Sequence, residues 1–157
     1  MHLLAGAILV LETVLCFVLE KKLTLGVLDW LGTITWVLAM ALILQSIRTL
    51  RRRGDVRAGS SFVNTTSVVA DGVFGIVRHP LYLGWSLMYL VPALFNPRWE
   101  LAALALAGIV AVQVFTWQEE KGLLDRFGDA YRTYSAAVPR MDLLRGAWRA
   151  IRRRSKD

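Results

Sequence analysis

Cysteine and histidine are almost absent: the 157-residue chain has one Cys, Cys16, and two His. A single thiol permits no disulfide framework, and no Cys/His spacing of the zinc-binding kind occurs, so no metal site is expected. The phosphate-cradling loops G-x-G-x-x-G and G-x-x-x-x-G-K-[ST] are missing. So are the G-x-S-x-G nucleophile elbow and the H-E-x-x-H metalloprotease pair. Acidic residues are scarce too, 12 against 19 Lys and Arg, which gives a net charge of +7. A chain so basic would ordinarily carry fewer apolar residues than the roughly 45–50% of globular proteins. Here 55% are apolar. That excludes disorder, which needs low hydrophobicity, and argues against a small nucleic-acid-binding domain.

The charge is concentrated. Arg48, Arg51, Arg52, Arg53 and Arg57 stand against Asp55, a net +4. Arg145, Arg149, Arg152, Arg153, Arg154 and Lys156 stand against Asp157, a net +5. The rest of the chain sums to −2. Two basic blocks bracketing apolar sequence are the pattern of a membrane protein whose cytoplasmic segments hold the cations.

Four apolar runs lie among these blocks: Leu3 to Leu19, broken by Glu12; Leu28 to Ile47; Leu81 to Phe95, containing Pro92; and Leu101 to Trp117. Crossing the hydrocarbon takes about 20 residues, which suits runs one, two and four. The third is short, but Asn96-Pro97 turns it into the fourth as a helical hairpin. The first run lacks a basic n-region and a small-residue cleavage site, so it is expected to be a mature helix rather than a signal peptide. The expectation is an all-α polytopic membrane bundle of about four transmembrane helices. Both termini are expected on the cytoplasmic side with the basic blocks, against the weak opposition of Lys21 and Lys22. A single membrane domain is expected over 1–157: an N-terminal hairpin (1–50), a core (70–140) and a basic tail (141–157).

Two polar segments then share the cytoplasmic face. Residues 54–80 are turn-rich, run through Ser60, Ser61, Asn64 and Thr65, and end in Arg78-His79-Pro80. Residues 118–140 carry Glu119 and Glu120, followed by Leu123, Leu124, Phe127, Tyr131, Tyr134 and Val138 at three- and four-residue steps, an amphipathic helix interrupted by Gly128. Charged residues at span ends are commonly interface anchors, and Phe74, Tyr82, Trp85, Trp99 and Trp117 suit a membrane aromatic belt. Taken together, the cationic patch and the acidic pair suit a zwitterionic ligand held beside a lipid-like one. Glu12, inside a span, is either a functional group or a protonated or water-facing one without a chemical role. Leu143 to Ile151 alternates apolar residues with arginines, which reads as an interfacial helix on anionic lipid; nucleic acid is the lesser alternative use of such a block.

The stretch Gly72-Val73-Phe74-Gly75-Ile76-Val77-Arg78-His79-Pro80-Leu81-Tyr82-Leu83-Gly84-Trp85 resembles the G-x-[YF]-x-x-x-R-H-P-x-Y-x-G-W signature of the isoprenylcysteine carboxyl methyltransferase family. Glu119-Glu120, with Leu123, Phe127-Gly128, Tyr131, Tyr134 and Val138-Pro139, is similar to that family's C-terminal motif. The resemblance covers residues 70–140, about half of the chain. It implies an integral membrane methyltransferase that uses S-adenosylmethionine, with a fold unrelated to the soluble nucleotide-binding methyltransferases. It implies that His79, Pro80, Tyr82, Gly84, Glu119 and Glu120 line the cofactor pocket. Arg78 is then the catalytic cation, and Trp85 and Tyr131 meet the substrate. The acceptor it implies is a prenylated or otherwise lipid-like small molecule, most simply the carboxylate of an isoprenylcysteine. The related phospholipid N-methyltransferases keep a lipid amine open as the alternative acceptor, and a silent membrane scaffold is the further alternative. Beyond substrate and cofactor, the expected partner is a bilayer with anionic head groups at the basic blocks.

Overall fold

The computed structural model describes residues 2–19, 26–54 and 65–154. Lys21, Lys22, Arg57, Ser60, Ser61, Asn64, Lys156 and Asp157 lie outside the described residues. Every regular element among the described residues is helical: α1 (His2–Val18), α2 (Gly26–Arg53), a 3-10 turn (Gly72–Gly75), α3 (Pro80–Phe95), α4 (Trp99–Phe127), α5 (Asp129–Ala137) and α6 (Leu143–Arg154). By length and apolarity α2 and α4 suffice to cross a membrane, whereas α1 and α3 are apolar but shorter.

The helices divide into two compact units, one of residues 1–41 and 82–117, the other of 42–81 and 118–157. In sequence terms the second holds 16 of the 19 Lys and Arg and 8 of the 12 Asp and Glu, a net +8. The first keeps 3 and 4, a net −1. The charge asymmetry legible in the sequence is therefore an asymmetry between two structural units.

The first unit is organised around α3. Tyr89 donates from its hydroxyl to the Ala5 carbonyl at 2.7 Å, and Asn96 Nδ2 donates to the carbonyls of Cys16 and Leu19 at 3.4 and 3.1 Å. These bonds tie α3 to α1. On α4, Gly108 faces the Tyr89 ring so closely that a Cβ there would collide with it. On α2, a Cβ at Gly32 would stand 3.1 Å from the Phe95 ring. Small residues that let helices approach are the usual packing device where burial against lipid gives no drive of its own. Pro92 lies inside α3 and deletes one helical N–H; its carbonyl accepts from the Asn96 N–H and from Cys16 Sγ.

This unit exposes many large apolar side chains and buries several polar ones. Phe17, Trp30, Ile34, Val37, Leu106 and Val110 are exposed, while Glu12, Ser86, Asn96 and Thr116 are buried. Apolar surface of this extent marks an interaction with lipid or protein. Glu12 is fully buried, and neither carboxyl oxygen has a hydrogen-bond partner among the described residues.

In the second unit α4 does not end where its apolar run ends. Gln118 to Lys121 are polar but helix-compatible, so the helix continues to Phe127. Gly128 then takes φ +53° and starts α5, a left-handed region that glycine enters without steric cost. The segment expected as one helix over 118–140 is thus the end of α4 plus α5. Asp142 caps α6, its Oδ1 accepting the Arg145 N–H at 2.9 Å, the usual role of an N-terminal aspartate.

Candidate functional site

Pro80 opens α3, where a residue without an N–H loses nothing and its fixed φ suits the helix. The two residues before it are held by the chain beyond α5: Arg78 N–H donates to the Pro139 carbonyl at 2.9 Å and His79 N–H to the Arg140 carbonyl at 3.1 Å. A second tie runs upstream. Tyr134 donates from its hydroxyl to the Phe74 carbonyl at 2.7 Å. Gly72 adopts φ +55° at the start of the 3-10 turn, so this glycine serves a turn.

These ties bring the Arg-His-Pro loop onto the acidic end of α4, all within the basic unit. Arg78 Nη2 donates to Glu120 Oε1 at 2.9 Å, and Nη1 donates to the Ser135 carbonyl. His79 Nε2 stands 3.1 Å from the same Glu120 oxygen. An ionised carboxylate only accepts, so Nε2 carries the hydrogen in this pairing. Arg140 Nη2 lies 3.4 Å from Glu120 Oε2. One carboxylate is therefore the hub for two guanidinium groups and an imidazole. Glu119 Oε2 reaches to 3.7 Å from His79 Nδ1, beyond hydrogen-bond distance.

Tyr131, 3% exposed, lies within electrostatic reach of Glu120, Arg78, Glu119 and Arg140, and its pKa is pushed up to about 12 by burial first and by the Glu120 charge second. Tyr134, whose ring centroid is 5.9 Å from that of Tyr131, is also pushed up, again chiefly by burial. Both hydroxyls are thus neutral donors at neutral pH. Tyr134 uses its own on Phe74; the Tyr131 hydroxyl is buried and makes no hydrogen bond among the described residues. Arg78 Nε and Glu119 Oε2 share that condition. Buried polar groups are nearly always satisfied, so each exception asks for an explanation. These three groups, two donors and one acceptor beside one ion-pair cluster, are a set that a bound molecule with both charges would satisfy.

Of the residues singled out from the sequence, Arg78, His79, Glu119, Glu120 and Tyr131 meet in this cluster, and buried Pro80 adjoins it in the chain. Tyr82, Gly84 and Trp85 fall in the apolar unit. There the Tyr82 carbonyl accepts the Ser86 hydroxyl at 2.9 Å, Gly84 is buried and Trp85 is exposed. Sequence reasoning missed Arg140, and with it the Ser135 and Pro139 carbonyls. Arg140 follows the Val138-Pro139 pair closely, but no spacing rule marked it, and backbone acceptors leave no residue-type signal.

A protein-family model described as phospholipid methyltransferase matches residues 27–130. The chain is also similar to a Mus musculus protein named protein-S-isoprenylcysteine O-methyltransferase, with 30% identity over 138 residues that take in 75% of this chain and 46% of that protein. The chain thus spans about half the length of the curated relative it matches. No solved structure matches it.

Proposed function

The chain belongs to the phospholipid methyltransferase family, and on that premise we propose that it is an integral membrane, S-adenosylmethionine-dependent methyltransferase acting on the carboxylate of an isoprenylcysteine-type lipid. We place α1 to α4 as four spans, with the basic unit and both termini at the cytoplasmic face of a cell membrane. The net +8 of that unit supports the orientation. The amphipathic character expected of the C-terminal segments suits the same face.

The observation that carries the proposal is the set of buried groups left open at the cluster. Arg78 Nε and the Tyr131 hydroxyl are both donors, and together they suit an acceptor carboxylate. Glu119 Oε2 is an acceptor and suits the ammonium of an amino-acid moiety such as the cofactor carries. Bound beside it, S-adenosylmethionine supplies a methyl group already activated on a positively charged sulfur.

The residues then have mainly to align the partners and keep water out, which is where most of the advantage of a two-substrate site lies. An acceptor carboxylate is ionised at neutral pH, so no general base is required. Arg78 orients it through a charge-assisted hydrogen bond while its two terminal nitrogens hold the loop to Ser135 and Glu120. Glu120 fixes Arg78, His79 and Arg140 in place, and His79 and Pro80 line the cofactor side.

A lipid amine is the second reading, favoured by the name of the family model. It asks for a proton acceptor at the reacting nitrogen, the opposite of what Arg78 Nε and Tyr131 offer. The test is to incubate purified protein with labelled S-adenosylmethionine and either a prenylcysteine analogue or total lipid extract. Transfer to the analogue as a base-labile methyl ester is the expected result. Base-stable label in the lipid fraction would establish the amine reading, and no cofactor binding at all would leave a scaffold.

A further inference from the structure

Helix α6 has two unlike faces. Its inner face is fixed to the basic unit: Gly146 lies against the Ile76 carbonyl so closely that a Cβ would collide with it, and Arg149 Nη1 donates to the Ala137 carbonyl at 3.3 Å. Leu144, Trp148 and Ile151 are spaced at i, i+4 and i+7, and they are 84%, 53% and 69% exposed. They form one outward stripe that nothing among the described residues covers. The guanidinium of Arg152 lies over the Trp148 ring, 3.9 Å from its centroid. Residues 143–154 contain five arginines and no acid.

We propose that this stripe docks on an anionic bilayer surface, with Leu144, Trp148 and Ile151 entering the head-group boundary and Arg145 and Arg152 meeting lipid phosphates. An apolar face flanked by arginines is what binds such an interface, and basic residues near it gain from its negative potential. Charge decides the occupant. A second copy of α6 would bring a like-charged helix against this one, whereas an anionic lipid surface complements it. The inference does not rest on the methyl-transfer reading. It concerns the site all the same, because Pro139 and Arg140, which lead into α6, hold the backbone N–H groups of Arg78 and His79.

The test uses the full chain in lipid nanodiscs, with Cys16→Ser to clear the background and Ile151→Cys carrying an environment-sensitive fluorophore. A control label goes at Arg132→Cys on α5, an exposed position. With phosphatidylserine in the disc, the Ile151 label shifts to the blue and is quenched by lipid-borne quenchers. Both effects shrink in pure phosphatidylcholine, and Arg145→Gln with Arg152→Gln removes most of the shift. A label that stays in water with phosphatidylserine overturns the proposal. So does shielding independent of lipid charge that grows with protein concentration, which would identify a second copy as the occupant. Equal movement of the Arg132 label would assign the contact to the unit rather than to α6, and would overturn it too.

Discussion

Arg78 Nη2 and Glu120 Oε1 stand 2.9 Å apart although 42 positions separate the two residues in the chain. The pair is mostly buried, at 13% and 21% side-chain exposure, and it joins the loop before α3 to the end of α4. A hydrogen bond between charged groups contributes about 1.5–3 kcal/mol, enough for this bond to hold the loop in place.

Arg78→Ala removes that bond and the cation facing the acceptor. Turnover is expected to fall at least about 100-fold, the scale set by losing a group that stabilises charge at the reacting centre. His79 and Arg140 still hold Glu120, so the dissociation constant for S-adenosylmethionine changes much less. Methyl transfer and cofactor binding measured on one preparation check this; equal losses in both would remove Arg78 from the catalytic role.

Tyr131→Phe deletes only a hydroxyl that makes no hydrogen bond. Stability is therefore expected to hold or rise slightly, since an unpaired buried polar group is a cost. KM for a prenylcysteine acceptor should rise about five- to tenfold, the worth of one hydrogen bond of about 1–1.5 kcal/mol, with cofactor affinity unchanged. A thermal melt and a KM against kcat comparison give the answer, and an unchanged KM would take Tyr131 out of the acceptor site.

Alkaline stability follows from the same ring. The ordinary tyrosine value is 10.0, and Tyr131 is pushed up to about 12. Between those two values the unfolded chain has lost the proton that the folded chain keeps, so stability falls as pH rises through that window. Melting temperatures from pH 9 to 11.5 should decline less steeply in Tyr131→Phe than in the parent protein. Parallel curves would contradict it.

Gly108→Leu tests the apolar unit. A side chain at this position meets the Tyr89 ring, and overpacking of this kind costs about 1–3 kcal/mol. A lower melting temperature in detergent is expected, together with faster proteolysis of α3. A parent-like melt would mean that α3 and α4 do not meet at Gly108.

The cluster was half legible in the sequence. Arg78-His79-Pro80 and Glu119-Glu120 carry charge at the ends of apolar runs, so hydropathy and charge bias together led to the expectation that they share one face. The helix ends were less legible, because hydropathy marks where apolar residues stop rather than where a helix stops. Trp117 ends the apolar run, yet α4 continues through Gln118 and Glu119 until Gly128. Arg140, Ser135 and Pro139 were not legible at all. Two of the three act through backbone carbonyls, and Arg140 finds Glu120 only once the chain beyond α5 has folded back on the loop.

Glu120 is the hub of the cluster, and the affinity of the detergent-purified chain for S-adenosylmethionine, measured beside Glu120→Gln, tests its role most directly. The parent should bind saturably. The variant leaves Arg78 and Arg140 without their shared carboxylate, so it should bind at least about tenfold more weakly, a loss of about 1.4 kcal/mol. A parent that does not bind, or a variant that binds as tightly, would contradict the assignment of this cluster as the cofactor site.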